Sequence, residues 1–369
     1  MTSRLLTPPP LPTAAQAVAA APINGKSSTV RYLGAKTRVV QLILDLVGPP
    51  APGAFFVDAF TGTGTVAREA AQRGWHVRVN DTLHCATVMA TAGCLAEADV
   101  PFQGLGGYIK ALEVLNGLEE AQGFIWREYS PASAAFGPVE RMYFTEANAG
   151  KIDAVRQQVH TWRAEGTITA WEEALLLGDL IAATSRVANI AGTYGCFLRR
   201  WNSNSLQPLQ LQPRMLLGKA GRLEVHHGDA ALVPQSERDV AYFDPPYTKR
   251  QYAAYYHILE TIAHGDEPEV GGVTGLRPWQ NKASAYCYKT QALGALTRLI
   301  EQAQAQRVFL SYSSEGHVAL DALRQALSSL GELRVHELGE IGRYRPNQQA
   351  SDNADGVHEY LLELDRRGR

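Results

Sequence analysis

Short apolar runs, separated by glycine, proline and charged clusters, set the rhythm of the chain from residue 39 onward. Val39 to Val47 carries its apolar residues at helical spacing, and Gly48-Pro49-Pro50 ends the run. Ala54-Phe55-Phe56-Val57-Asp58 is too short for a helix and reads as a buried strand. A glycine turn follows, then a helix from Thr65 to Arg73 stopped by Gly74, then a second strand, Trp75-His76-Val77-Arg78-Val79. Strand, turn, helix and strand in that order form a βαβ unit, which predicts a parallel sheet with right-handed crossovers. Residues 96–185 read mostly helical, with polar loops around Ser130 to Pro138. From Leu223 the β/α alternation returns: a strand at Val240–Phe243, a helix over Tyr288–Gln306, a strand at Arg307–Tyr312 and a helix over His317–Leu330. Glu332–Leu338 and His358–Leu364 are expected to close the sheet as an antiparallel pair, and no internal repeat is present.

Composition narrows the class without naming it. At about 150 residues per domain, 369 residues suggest two domains, or one large domain with an insert. A hydrophobic fraction of 45% and a charged fraction of 20% are ordinary for a soluble globular protein. Cys85, Cys94, Cys196 and Cys287 show no C-x-x-C spacing, which argues against a zinc ribbon or a disulfide scaffold and fits a reducing cytosol. No apolar run reaches the roughly 18 residues that a membrane span needs. A net charge of −2 excludes a wholesale polycation, yet a local basic patch on a neutral protein still suffices for nucleic acid. Such a patch is present. Residues 186–223 hold six basic residues and no acidic one, together with Tyr194, Phe197, Trp201 and an amide-rich run from Asn202 to Gln212. Residues 1–28, with a proline run and an alanine-rich stretch, are expected to form a disordered tail. Gly25-Lys26-Ser27 lacks the upstream glycine and strand of a phosphate loop.

Three motifs carry chemistry, each at the carboxyl end of an expected strand, where open α/β sheets bind ligands. In Phe56-Val57-Asp58-Ala59-Phe60-Thr61-Gly62-Thr63-Gly64-Thr65, glycines let the backbone approach a ligand closely. The spacing also matches a dinucleotide fingerprint, with Asp81 as a ribose ligand. Asp58 weighs against that reading: a carboxylate there repels a pyrophosphate and suits a cationic amino group, such as the α-amino group of S-adenosylmethionine. Asn80-Asp81 ends the next strand, where an acid takes both ribose hydroxyls or simply caps a helix. Asp244-Pro245-Pro246-Tyr247 is the most specific signal. Its two prolines stiffen the turn, so that Asp244 and the Pro245 carbonyl present adjacent acceptors to an exocyclic –NH2 group, while Tyr247 offers a face to a planar base. His226 and His227 would point to opposite faces of a strand, so joint metal ligation is not expected.

These motifs, in this order, resemble those of the Dam-like (D12, alpha) class of N6-adenine DNA methyltransferases. Arg31-Tyr32-Leu33-Gly34-Ala35-Lys36 resembles the opening motif of that class, whose glycine and lysine lie at the cofactor site. Asp58–Gly64 resembles its glycine motif, with Phe60 in the aromatic place, although Ala59 stands where proline is frequent. Asp81 matches the ribose-binding acid, and His227-Gly228-Asp229 supplies the acid that pairs with the cofactor's adenine ring. Arg186–Gly195 resembles an arginine- and asparagine-containing element of the DNA-binding region. The runs Arg250-Gln251-Tyr252 through His257-Ile258-Leu259-Glu260, and Leu310 to Ser313, resemble a subgroup found in bacterial restriction–modification systems. Residues 96–185 carry no motif of the class that can be placed, so a recognition role for them is inferred from location.

The resemblance implies a Rossmann-like catalytic domain over 29–95 and 223–369, with a largely helical target-recognition insert over 96–222. The implied reaction moves a methyl group from S-adenosylmethionine to N6 of a flipped-out adenine in double-stranded DNA, without a metal. The cofactor set is Tyr32, Gly34, Lys36, Asp58, Phe60, Gly62, Gly64, Asp81, Asp229 and Asp244, and the catalytic set is Asp244, Pro245, Pro246 and Tyr247. Candidate DNA contacts are Arg186, Tyr194, Arg199, Arg200, Asn202, Asn204, Arg214, Lys249 and Arg250, since Arg and Lys neutralise phosphates while amides read base edges. A monomer acting in the bacterial cytoplasm is expected, with a cognate restriction endonuclease as partner. Cytosine N4 is an alternative target for the same tetrapeptide. An NAD-type oxidoreductase would leave Asp229 and Asp244–Tyr247 unexplained, and a catalytically silent DNA-binding protein would have no need of Asp244.

Overall fold

A computed structural model describes residues 30, 32–219, 221–341 and 356–366. The expected tail at 1–28, Gly25-Lys26-Ser27 and Arg31 lie outside the described residues. The chain runs α1 (Val40–Val47), β1 (Phe55–Asp58), α2 (Thr65–Gln72), β2 (His76–Asp81) and α3 (His84–Cys94). The helices α4 (Tyr108–Gly117), α5 (Phe124–Tyr129), α6 (Glu146–Ala164) and α7 (Ala170–Val187) follow. After a long irregular segment come β3 (Leu223–His227), β4 (Val240–Phe243), α8 (Tyr252–Tyr255), α9 (His257–His264) and α10 (Ala292–Gln302). The chain closes with β5 (Arg307–Ser313), α11 (Leu320–Leu327), β6 (Glu332–Ile341) and β7 (Val357–Asp365).

The seven strands form one sheet in the order β3-β2-β1-β4-β5-β7-β6. β3, β2, β1, β4 and β5 are mutually parallel, and β7 runs antiparallel to both β5 and β6. This is a Rossmann-like α/β architecture, and the strand order reverses between β1 and β4, the switch point where such sheets open a crevice. Side chains alternate across the sheet as the two-residue period requires. Phe56, Val77 and Phe309 pack with α1 and α2 on one face, while Val57, Ala241 and Val308 pack with α10 and α11 on the other. β1 is buried along its whole length, Asp58 included, because both of its faces are covered.

Several boundaries differ from the sequence pattern, each for a tertiary reason. β2 extends to Asp81 because it pairs with β3 as far as His227. α10 begins only at Ala292, since Ala285–Cys287 forms a separate 3-10 turn. α11 begins at Leu320 rather than His317, whose N–H instead donates to the Tyr247 carbonyl, 2.8 Å away.

Helices α4–α7 share one hydrophobic cluster with α3 and α9, joining Val88 and Met89 to Leu176, Ile181 and Leu259. The N-terminus of α7 is tied by a capping box: Thr169 Oγ1 accepts from the Glu172 N–H, and Glu172 returns a bond to the Thr169 N–H. Thr169→Ala is expected to cost about 1 kcal/mol of stability. Chemical denaturation measures it, and an unchanged midpoint would mean that the cap carries no net energy.

Candidate active site

Five strands end at one edge of the sheet, and the acids picked out from the sequence end with them. Asp58 closes β1, Asp81 closes β2, Asp229 follows β3 and Asp244 follows β4. All four line a single cavity of about 690 Å³, together with Tyr32, Gly34, Lys36, Phe60, Gly62 and Pro245–Tyr247.

The glycine turn is built for close approach. Gly62 and Gly64 have φ of 51° and 75°, a region that side-chain-bearing residues rarely adopt. A Cβ on Gly64 would lie 2.4 Å from Cα of Ala90 in α3, so the turn and that helix touch backbone to backbone. Two bonds tie the turn to β2: Thr61 N–H donates to the Asn80 carbonyl at 2.9 Å, and Gly62 N–H donates to Asp81 Oδ2 at 3.0 Å. The Asn80 amide, buried, donates to the carbonyls of Ala59 and Gly228 and so fixes the β1 and β3 turns together.

Asp58 is 1% exposed, and among the described residues its Oδ1 lacks a hydrogen-bond partner. Burial, with Asp244 and Asp81 adding to it, pushes its carboxyl up to about 8. Burial likewise raises Asp81 to about 6, opposed by the N–H groups of Leu83 and Gly62. A buried carboxyl oxygen left unpaired is costly. Asp58 lines the cavity, where a cationic donor would meet its carboxyl.

The segment carrying Lys36 is held by two tyrosines. Leu33 N–H donates to Tyr256 Oη at 2.7 Å, and Tyr252 Oη donates to the Leu33 carbonyl at 3.2 Å. Tyr32 stacks on Tyr256 at a centroid distance of 4.2 Å, and its ring also packs on Gly62. This strap delivers the Lys36 ammonium to Asp244 Oδ2, 2.9 Å away, with the Gly34 carbonyl at 3.2 Å. Lys36 is 4% exposed. Burial pulls its pKa down, but Asp244 and Glu359 more than offset this and hold it above the ordinary lysine value. Burial raises Asp244, and the neighbouring ammonium opposes that rise.

Residues 281–286 wall the cavity from outside. Gln251 and Ser284 exchange two hydrogen bonds, Lys282 pairs with Glu260 at 2.6 Å, and Tyr286 meets Phe60 edge to face at 5.5 Å. Tyr286, Gln251 and Glu260 were not singled out for these roles by local sequence pattern, since each acts through a partner distant in the chain. His227 also reaches the cavity; among the described residues no group of three His, Cys, Asp or Glu side chains could hold a metal.

The structure divides the expected DNA contacts into two kinds. Tyr194 is fully buried, its carbonyl accepting from Tyr143 Oη at 2.9 Å, so it belongs to the core and not to a DNA surface. Arg214 is likewise corrected: its guanidinium pairs with the buried Asp179 at 2.7 Å. Arg186, half-buried, donates to the Gln210 carbonyl. The Asn202 amide is spent within its own loop, on Ala188, Asn189 and Ser205. Arg199, Arg200, Asn204, Lys249 and Arg250 are exposed. The amide-rich run is strapped to the helices by Asn148, which bonds the backbone of Ser205, Gln207 and Leu209, and by Asn116, which bonds Leu211.

With this geometry in hand, comparison with known proteins is direct. Residues 32–325 match the D12 class of N6 adenine-specific DNA methyltransferases. The chain is 32% identical over 345 residues to the type II methyltransferase M.FokI of Planomicrobium okeanokoites, covering 91% of this chain and 53% of that protein. It is 31% identical over 347 residues to the modification methylase StsI of Streptococcus sanguinis, covering 92% and 52%. The chain thus spans about half the length of these two relatives. Over 351 residues it is 31% identical to the type II methyltransferase M.NlaIII of Neisseria lactamica, covering 91% of this chain and 99% of that one.

Proposed function

We propose, on the premise that the chain belongs to the D12 class of N6 adenine-specific DNA methyltransferases, that it methylates adenine N6 in double-stranded DNA with S-adenosylmethionine as donor. The observation that carries this reading is the convergence of Asp58, Asp81, Asp229 and the Asp244–Tyr247 tetrapeptide on one cavity. The unpaired, buried Oδ1 of Asp58 fits an α-amino group. Asp81 fits the ribose hydroxyls, Asp229 the adenine amine, and Phe60 the adenine face, while Gly62 lines the cavity and Gly64, packed on Ala90, fixes the turn from behind. When bound, S-adenosylmethionine supplies a methyl group activated by a positively charged sulfur.

The remaining chemistry belongs to the chain and to the base. The target base swings out of the duplex, at a cost of a few kcal/mol that the pocket contacts offset. Tyr247 offers its ring to the base. Asp244 and the Pro245 carbonyl accept hydrogen bonds from the two amino protons. These bonds hold the nitrogen in line and oppose delocalisation of its lone pair into the ring, and as the nitrogen takes the methyl group one of its two protons leaves along the bond to Asp244. Positioning and fixed dipoles supply most of the acceleration. Residues 96–222 are assigned target recognition, with Arg199, Arg200, Asn204, Lys249 and Arg250 as the DNA-facing set. The same reading has the protein act as a monomer in the bacterial cytoplasm, alongside a cognate endonuclease.

Nucleoside mass spectrometry tests the reading. After incubation with S-adenosylmethionine and unmethylated genomic DNA, N6-methyladenine is expected, while N4-methylcytosine would overturn the base assignment. Arg199→Ala and Arg200→Ala are each expected to weaken DNA binding and to flatten the slope of log K against log salt by about 0.9. Arg214→Ala should instead lower thermal stability. Fluorescence anisotropy across a salt series separates the two kinds of arginine, and unchanged slopes for Arg199 and Arg200 would remove them from the interface.

A further inference from the structure

Glu359 sits near the start of β7, beyond the stretch of residues 32–325 that matches the family. Because β7 is antiparallel to β5, with Glu359 opposite Ser313, its N-terminal end falls at the edge where the parallel strands finish. The side chain is 6% exposed. Its Oε1 accepts from Tyr247 Oη at 3.4 Å. Among the described residues its Oε2 has no hydrogen bond, and it lies 3.9 Å from Lys36 Nζ. Lys36 therefore stands between a half-buried and a buried carboxylate, bonded to Asp244 at 2.9 Å and one short step from Glu359.

That arrangement bears on the reaction assigned above. Asp244 must accept from the target amine, and the ammonium on its Oδ2 leaves Oδ1 to do so but compensates the charge that makes the carboxylate a strong acceptor. A neutral amine gains less from a carboxylate whose charge an ammonium already compensates, because a charge-assisted bond is about twice as strong as a neutral one. Stranding Lys36 without a partner would cost more still. The compensation is relieved if the ammonium has a second carboxylate within reach. Nζ needs only to close from 3.9 Å to an ion-pair distance of about 2.8 Å, pivoting on the Gly34 carbonyl.

We propose that Glu359 is a positioning residue that draws Lys36 off Asp244 as the target amine enters, freeing the charge of Asp244 for the bond from the substrate. No proton moves in the exchange: one ammonium shifts between two carboxylates. Tyr247, which faces the base, reports to the same carboxylate through its hydroxyl, so base entry and the shift of Lys36 share one hydrogen-bonded unit. The inference rests on the reading of Asp244 as the acceptor of the amine.

The test is single-turnover transfer of tritiated methyl from S-adenosylmethionine to unmethylated genomic DNA, with enzyme in excess. Glu359→Gln keeps the shape and removes the charge. It is expected to slow transfer by about tenfold or more while the cofactor Kd, measured by calorimetry, stays within about twofold. Glu359→Asp should recover part of the loss. In a Lys36→Met background, Glu359→Gln should change the rate by less than about twofold, as expected for residues acting through one another. A rate within twofold of wild type in Glu359→Gln overturns the proposal. So does a full tenfold loss repeated in the Lys36→Met background, which would mean a role independent of Lys36. If Glu359→Gln fails to bind cofactor, Glu359→Ala carries the test at saturating cofactor, and a wild-type rate in that variant overturns the proposal. Absence of N6-methyladenine with the wild-type protein would instead sink the assigned reaction.

Discussion

Replacing Asp244 by alanine is expected to reduce methyl transfer by about 10³-fold or more, in keeping with the loss of an essential preorganised electrostatic contact. Cofactor affinity should change only several-fold, because Asp58, Asp81 and Asp229 remain in the same cavity. The variant should also fold. Removing one partner of a buried pair usually strands the other, but Lys36 retains Glu359 at 3.9 Å and the Gly34 carbonyl at 3.2 Å. Asp244→Asn is the finer probe. It keeps one acceptor and turns the other into a donor that meets the amine proton head on, so transfer should fall by about 10²-fold. Rapid-quench measurement of N6-methyladenine beside calorimetry of cofactor binding reads both effects. Transfer within tenfold of wild type in Asp244→Ala would remove Asp244 from the catalytic set.

The second large effect is expected at Asp58. With burial and two neighbouring carboxylates holding its pKa at about 8, the free site carries a proton at neutral pH. A cationic amino group must expel that proton to form its ion pair. Affinity for S-adenosylmethionine should therefore rise by about tenfold per pH unit between pH 6 and 7, and level off near 8, where the ligand's α-amino group itself begins to lose its proton. Binding at pH 7 should release close to one proton, read as a dependence of the calorimetric enthalpy on buffer ionisation. Asp58→Asn should abolish both the proton release and the slope, and should weaken binding by about 10²-fold. The folding consequence has the opposite sign. A carboxyl raised from 3.8 to about 8 binds its proton more tightly in the folded state. Its contribution to stability is full below pH 3.8 and is lost as pH rises to 8. Asp58→Asn should thus flatten the fall in melting temperature over that range. An unchanged pH slope of binding in the variant would mean that another group meets the cation.

Much of this site was legible in the sequence because its determinants are local. A strand is announced by a run such as Phe55–Asp58, and a left-handed turn by Gly62 and Gly64. The tetrapeptide Asp244–Tyr247 needs no distant residue to be recognised, since its prolines and its place after β4 are read in one pass along the chain. The strands are parallel, so each acid at a strand's carboxyl end was bound to share an edge with the others. The expected antiparallel pair at the chain's end is present as β6 and β7.

The roles that escaped the sequence are those decided by partners far away in the chain. Lys36 was assigned to the cofactor along with Gly34, yet its nearest charge is Asp244, brought to it by a strap that Tyr252 and Tyr256 hold from 219 and 223 residues away. Arg214 reads as a DNA contact until Asp179 is found beside it, and Tyr194 does so until the core closes over it. Glu359 is one more acid on a strand until the antiparallel direction of β7 carries it to Tyr247, 112 residues back. The chain's own pattern thus determined the α/β fold and the edge on which the chemistry sits, because periodicity and turn stereochemistry act between near neighbours. Tertiary structure decided which charges face solvent and which face one another. Burial multiplies the strength of a charge pair several-fold, and no local pattern records which charges will be buried together.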